Sequence, residues 1–535
     1  MFPYADLIIT GAKVFTADRD APTADAVAVK GDRIVFVGSH RGAMEWRGAA
    51  TRVVDGQGCT LMPGFIDCHF HLLMGALTLD KIHYETCFTY ANVRQAIQTF
   101  AAENPAEPWL TGFGLRYNLG PGNTPLTRQH LDAILADRPL VITAYDGHTS
   151  WANSLALRQA GIFHGGECPP NSEIVLDAYG EATGELVEHA AKYIDRVLPV
   201  PDEDHKRRML HKGAQVAAQM GVTSVYNMDG DDEQAALYSA LEADGKLSVR
   251  VYVPYSIRVE TPFEAIEKEA FPMKAKYQTP LVRAGCVKLF MDGVIETYTG
   301  LMVDPYTDNP ITCGESNYSV DHFNRNIVEA DRLGLQISVH SVGDGGVRRV
   351  LDAYALAQAI NGRRDSRHRI EHIEVIHPAD LLRFQELGVI ASMQPMHAPP
   401  AVDDGDIWQF RVGEGRWPLS FAWTTIRQAG ATLVFGSDWP VASQNPLLGV
   451  HNTLNRKPWA EGMPHHRLPL ADTLIAYTRD AAYAEFQEHH KGQLKAGTLA
   501  DMVLLSEDIF NIPVEQMKEV HPQLTLLGGK ITYEA

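Results

Sequence analysis

The chain predicts an α/β fold: a (β/α)8 barrel joined to a small β-domain drawn from both chain ends. Three observations predict it. Eight strand-like runs alternate with amphipathic stretches of helical length, as βαβ units forming a parallel sheet require. Both ends of the 535-residue chain share a strand-and-turn texture that the middle lacks. Ionisable residues recur at the ends of the strand-like runs, where barrels of this kind gather their active sites.

The N-terminal runs ADLIITGAKVFTADRD, ADAVAVKGDRIVFVGSH and TRVVDGQGCTLMPG alternate apolar and polar residues between Gly and Asp turns. GTLADMVLLSEDIF and LTLLGGKITYEA repeat that texture at the C-terminus. Chain ends are often neighbours in space, so residues 1–62 and 490–535 are read as one β-domain. Residues 63–489 hold the barrel. Its strands are read at GFIDCHFHLL, GVTSVYNMD, VRVYVPYSI, RAGCVKLFMDG, LQISVHSVGD, HRIEHIEVI, VIASMQPMH and TLVFGSDWP, with helices such as DHFNRNIVEADRLG, VRRVLDAYALAQAI and PADLLRFQELG between them. The stretch from about residue 80 to about 200 is too long for a single connection and is read as an inserted subdomain over the barrel mouth.

Composition excludes several function classes. Apolar residues make up 45% and charged residues 21%, a globular balance. No run approaches the ~18 to 20 apolar residues of a membrane span, and the start reads as a strand rather than an export signal. Lys plus Arg number 47 against 66 Asp plus Glu, a net charge of −19 that gives no global field for nucleic acid or anionic lipid. The six cysteines contain no C-x-x-C pair, so reduced thiols in the cytoplasm are the expectation.

The histidines carry the chemistry. In PGFIDCHFH, His69 and His71 share a strand face with Asp67 behind them, and two imidazoles a pleat apart can hold one divalent ion. Lys288 shares parity with Val282, Ala284 and Cys286. His340 alternates with the apolar row Leu335, Ile337 and Val339, which places it inside the barrel. His368, Ile370 and His372 are read on one face, and Thr432, Val434, Gly436 and Asp438 on another. Singly, each has an ordinary reading as a satisfied core, stem or turn residue. Jointly they converge on one cavity, and buried ionisable groups are costly unless paired or bound to metal. The set has room for two ions about 3.5 to 4 Å apart. Lys288, a pure donor as ammonium, joins such a site only as free amine or as a CO2-derived carbamate.

These motifs, with AYDGHTSWANSLAL, GEATGELVE, VKLFMDGVIETYTG, ISVHSVGDGGVRRVLDA and the closing GTLADMVLL, make the chain resemble the metal-dependent amidohydrolase superfamily. Within it the chain is similar to the amidohydrolase-3 (YtcJ-like) group, which includes N-substituted formamide deformylase. The resemblance implies a distorted (β/α)8 TIM barrel with a β-sandwich built from both ends. It implies a first metal on His69, His71 and Asp438 and a second on His340 and His372, bridged by a carboxylated Lys288. Asp438 would carry the proton from the attacking hydroxide to the leaving nitrogen. The chain departs from the group's pattern at Gly300, which follows Thr299 where alanine is frequent.

The expectation is hydrolysis of a small amide, an N-substituted formamide or similar N-acyl compound, by metal-bound hydroxide. The alternatives are a cyclic amide, carbamate or ester at the same site, or a non-enzymatic regulator that kept the fold. Zinc is the default ion, as one or two atoms, with Fe, Mn, Ni and Co also suited to such ligands. His148 is read either as a catalytic residue bonding a carbonyl oxygen or as a structural hydrogen bond within its turn, and Tyr117 as lining the cavity. Asp292 reads as structural, and Trp109, Trp151, Trp408, Trp417 and Trp423 as an aromatic wall or core. The expected partner is a small-molecule amide, with a homodimer as the commonest assembly.

Overall fold

Eight strands, each parallel to its neighbours, follow chain order around one sheet. They are β1 (Phe65–Phe70), β2 (Val222–Asn227), β3 (Arg250–Ser256), β4 (Val282–Phe290), β5 (Gln336–Ser341), β6 (Arg369–His372), β7 (Ile390–Met393) and β8 (Thr432–Phe435). All eight strands expected from the sequence are present. The computed structural model describes residues 4–84, 86–145, 147, 149–169, 172–398 and 407–535.

The last strand closes on the first. Asp438 N donates to His69 O at 2.7 Å, and His71 N donates to Trp439 O at 3.0 Å. So close an approach requires glycine at 436, since a Cβ there would lie 2.3 Å from His69 N and 2.9 Å from Asp67 Oδ1. The Asp67 carboxylate bridges the same seam, accepting from His69 N at 3.1 Å and Ser437 N at 2.9 Å.

Amphipathic helices cover the barrel as their periodicity predicts. Helix α1 (Val320–Arg332) buries Phe323, Ile327 and Ala330 along one stripe, and the Ser319 side chain caps it by accepting from His322 N. Helix α2 (Asp344–Asn361) buries Val347, Val350, Leu351 and Tyr354, and Tyr354 Oη donates to Arg369 O at 2.8 Å.

The barrel interior is polar and aromatic. Tyr226, Tyr252 and Cys286 pack together. Tyr226 Oη donates to Gln336 Oε1 at 2.9 Å, and the Arg369 guanidinium lies 3.9 Å from the Tyr226 ring centre. Arg369 Nη2 also reaches Ser392 Oγ at 2.8 Å. Side chains from β2, β5, β6 and β7 meet in this way only on the sheet's concave face.

Strands from both chain ends form a second sheet. Its order is Lys530–Glu534, Pro522–Leu527, Met502–Leu505, Thr60–Pro63, Leu7–Phe15, Thr23–Lys30, Arg33–Gly38, with Arg52–Asp55 also paired to Leu7–Phe15. Alternation loads both faces, with Leu7, Ile9 and Val14 in one apolar cluster and Ile8, Ala26 and Ala28 in another. A buried bidentate pair, Arg250 Nε to Asp501 Oδ2 at 2.7 Å and Nη2 to Oδ1 at 2.9 Å, fastens the base of β3 to this sheet.

By its contacts the chain divides into two compact units, Met1–Leu72 with His211–Ala535, and Leu73–Leu210. The second contains the segment read as an insertion. It is built on a six-stranded sheet ordered Glu173–Leu176, Ala182–Val187, Thr149–Ala152, Leu140–Ala144, Leu110–Leu115, Ile82–His83. Tyr84, Val93, Ile97, Leu140, Ile142 and Trp151 form its core. No described helix is long and apolar enough to cross a membrane.

Candidate metal centre

Asp438 is the hub of a buried imidazole cluster. Its Oδ1 lies 3.3 Å from His69 Nε2 and 3.1 Å from His71 Nε2, and its Oδ2 lies 3.6 Å from His397 Nε2. The His372 ring centre is 4.7 Å from that of His69 and 4.5 Å from that of His340. One ligand atom each from His69, His372 and Asp438 all fall within 4.8 Å of one another. Lys288 is fully buried, and its Nζ has no hydrogen-bond partner among the described residues. The sequence-predicted His69, His71, Lys288, His340, His372 and Asp438 thus come together at the carboxyl ends of β1, β4, β5, β6 and β8.

Strand alternation delivers some of these groups and backbone turns deliver the rest. Lys288 follows Cys286 along the inner face of β4, and His340 follows Ser338 along β5. His372 and Asp438 instead have left-handed backbone, φ 74° and φ 61°, which is uncommon for residues other than glycine and marks a constrained site. One expectation fails here. His368 and Ile370 do not share a face with the centre. His368 Nε2 lies 3.0 Å from Asp331 Oδ1 on α1, and its ring packs 4.9 Å from Tyr354 on α2. Arg369 and Glu371 point inward instead, and His372 reaches the cluster because the chain turns at the strand's end.

Carboxylates behind the histidines fix their orientation. His69 Nδ1 donates to Glu371 Oε2 at 2.9 Å, which turns Nε2 toward Asp438. His71 Nδ1 donates to Asp229 Oδ1 at 2.7 Å, and Gln234 Nε2 donates to Asp229 Oδ2 at 3.0 Å. Burial alone would lower the His71 ring, but Asp229 and Asp438 carry it up to about 9. Burial would likewise raise the Asp438 carboxyl, and the surrounding His69, His71 and His372 overrule it and hold the group well below the usual range. Burial, with Lys288 nearby, lowers His340 to about 3. Burial also pulls the Lys288 ammonium down to about 8 against the nearby Glu371, Asp438 and Asp229.

The sequence pattern of the amidohydrolase family matches residues 52–533. The chain belongs to the amidohydrolase family. It is therefore read as a hydrolase. It is similar to the protein LONG AFTER FAR-RED 3 of Arabidopsis thaliana, 30% identical over 99% of this chain and 92% of that one. It is also similar to the N-substituted formamide deformylase of Arthrobacter pascens, 26% identical over 99% of this chain and 98% of that enzyme. In fold it matches an uncharacterized metal-dependent hydrolase from Pyrococcus horikoshii OT3, with a TM-score of 0.76 at 22% identity, covering 95% of this chain and 99% of that one.

Within this amidohydrolase the remaining expectations fall in different places. His148 lies outside the described residues. Tyr117 is in the second unit, its hydroxyl donating to Thr149 Oγ1 at 2.9 Å and its ring against Trp151. Asp292 accepts from Leu301 N, Val342 N and Gly343 N, so its carboxylate holds the loop after β4. A Cβ at Gly300 would lie 3.1 Å from both Ile295 Cδ1 and Tyr306 Oη, close enough that these side chains would shift by a few tenths of an ångström to admit it. The five tryptophans do not form one wall. Trp151 and Trp423 are core residues and Trp109 packs on a core cluster, while Trp408 and Trp417 stack on Trp459. Sequence reasoning missed Asp229, Arg369, Glu371 and His397. Asp229 closes the strand-like run GVTSVYNMD without being singled out, and His397 lies beyond the end of β7.

Proposed function

We propose that the protein is a divalent-metal-dependent amidohydrolase that cleaves the carbon–nitrogen bond of a small amide, an N-substituted formamide or similar N-acyl compound. The observation that carries this reading is Asp438 ringed by His69, His71, His372 and His397, with the unpartnered Lys288 buried in the same layer. The similarity to a formamide deformylase supports the substrate class.

The donor set fits a metal. Imidazole nitrogens and a carboxylate oxygen suit zinc and its first-row neighbours, and an orphaned buried amine among carboxylates suits a group that is not left as free ammonium. His69, His372 and Asp438 would hold one ion, a different trio from the His69, His71 and Asp438 that the resemblance implies, with His71, His340 and a carboxylated Lys288 as further donors around it. When bound, such an ion supplies Lewis acidity toward water and a carbonyl oxygen.

The chain's own groups do the rest. Glu371 and Asp229 hold His69 and His71 with their Nε2 atoms turned to the centre. Asp438, kept ionised, accepts a proton from water and returns it to the leaving nitrogen, a role worth ~10² to 10⁴ in rate. Lys288, with its depressed basicity, presents free amine that adds CO2 and releases one proton to become a carbamate.

Metal analysis of the purified protein, with assays on N-substituted formamides, cyclic ureides and lactones, tests the reading. The expected result is bound divalent metal and preference for the formamides. A fully active metal-free protein, or Asp438→Asn at wild-type rate, overturns it.

A further inference from the structure

Gln394 is an anomaly next to the centre. It is 2% exposed, yet neither Nε2 nor Oε1 has a hydrogen-bond partner among the described residues. Buried amides are almost always paired, because an unpaired one loses its water without compensation. Its place in the fold is informative. Ser392, two residues earlier on β7, faces the barrel interior, where its Oγ meets the Arg369 guanidinium at 2.8 Å. Gln394 is the first residue past the carboxyl end of β7, and the turn it opens carries His397, whose ring stacks on His372, so the residue borders the histidine cluster.

Its neighbour in the following turn has the same property. His397 N donates to Gln394 O at 3.0 Å, and the His397 ring stacks on His372 with centres 5.7 Å apart. His397 Nε2 is buried and likewise makes no hydrogen bond. One short segment thus brings an unpaired amide donor and acceptor to the rim of the site, beside a ring nitrogen whose nearest charged group is Asp438 Oδ2 at 3.6 Å.

We propose that Gln394 and His397 form the substrate-recognition edge of this site, Gln394 Oε1 accepting the substrate's amide N–H and Gln394 Nε2 donating to a substrate oxygen. The protein therefore selects secondary amides over tertiary amides and esters of the same size. The assignment rests on the amide hydrolysis proposed above and narrows its substrate class. A site that bonds a substrate N–H discriminates strongly against an analogue lacking it, because its own acceptor is then left buried and unpaired.

The test compares N-benzylformamide, N-benzyl-N-methylformamide and benzyl formate on the metal-loaded full-length protein, wild type and Gln394→Met. Gln394→Leu provides a second apolar replacement should the first fold poorly. In the wild type, kcat/KM for the secondary amide should exceed that for the tertiary amide by at least ~100-fold. The Gln394 variants should lose that ratio to within about fivefold, mainly through KM, with metal content unchanged. Their Tm should equal or exceed that of the wild type, since an unpaired buried amide has been removed, whereas a purely structural glutamine would lower it. A ratio that survives in both variants, or that is near one in the wild type, overturns this assignment while leaving amide hydrolysis standing. Hydrolysis of the ester but of neither amide overturns the proposed reaction and this assignment with it.

Discussion

Glu371 accepts His69 Nδ1 at 2.9 Å on the same carboxylate that the Arg369 guanidinium grips from within the barrel, at 2.9 and 3.0 Å, with all three residues buried. The pair fixes the His69 tautomer and orientation and keeps its Nε2 free for the centre. Burial would raise the Glu371 carboxyl, and Arg369 and His69 bring it down to about 2.

Removing one member of this pair has a larger effect than removing both. Glu371→Gln strands the Arg369 charge and is expected to lower stability by about 3–5 kcal/mol. The double variant Arg369→Met with Glu371→Leu should recover most of that loss in urea denaturation. Metal affinity measured by calorimetry should fall ~10- to 100-fold in both, because His69 has lost its orienting acceptor. Wild-type affinity in either variant would remove Glu371 from the centre.

Much of this centre is legible in the sequence, and the exceptions share a cause. Period-two alternation is enough to carry Lys288 and His340 inward, because β4 and β5 stay regular through those residues. It misassigns HRIEHIEVI, where the left-handed turn at His372 returns that side chain to the interior while His368 packs against α1 and α2. Arg369 and Glu371 were hidden by the same misreading. Asp229 and His397 lie past strand ends, where no periodicity constrains a side chain. The eight strands were readable because each is short, apolar and bounded by turns. The tryptophans were not, since stacking partners such as Trp459 lie on loops.

Metal uptake should release protons. With His71 raised to about 9, the metal-free ring carries a proton at neutral pH that must leave before the nitrogen binds a cation. Apparent zinc affinity should therefore rise with pH up to that value, by up to ~10-fold per unit for this one proton. Indicator measurements in weak buffer at neutral pH should register the release, and Asp229→Asn should reduce it. Zinc binding with no proton release would contradict His71 as a participant.

Carboxylation of Lys288 is accessible to spectroscopy. Protein kept in 13C-enriched bicarbonate with metal should give a carbamate carbon resonance that is absent from Lys288→Met. The same resonance in the variant would assign it to another amine.

Acid stability should depend on Asp331, away from the centre. Burial would raise this carboxyl, but His368, Asn361 and Arg364 hold it down at about 2 against an ordinary 3.8. A depressed carboxylate stabilises the fold fully above its ordinary value and loses that contribution as pH falls through about 2. Asp331→Asn should cost about 1–2 kcal/mol at neutral pH, with the gap closing in acid. Urea melts of both proteins across that range measure it, and a gap that widens in acid would refute the sign.

Anomalous diffraction at the zinc edge, from crystals of the zinc-loaded full-length protein, tests the central claim most directly. The predicted result is a strong peak bounded by His69, His372 and Asp438. Stoichiometric zinc located elsewhere on the chain, with those three side chains bonded only to one another, would contradict it.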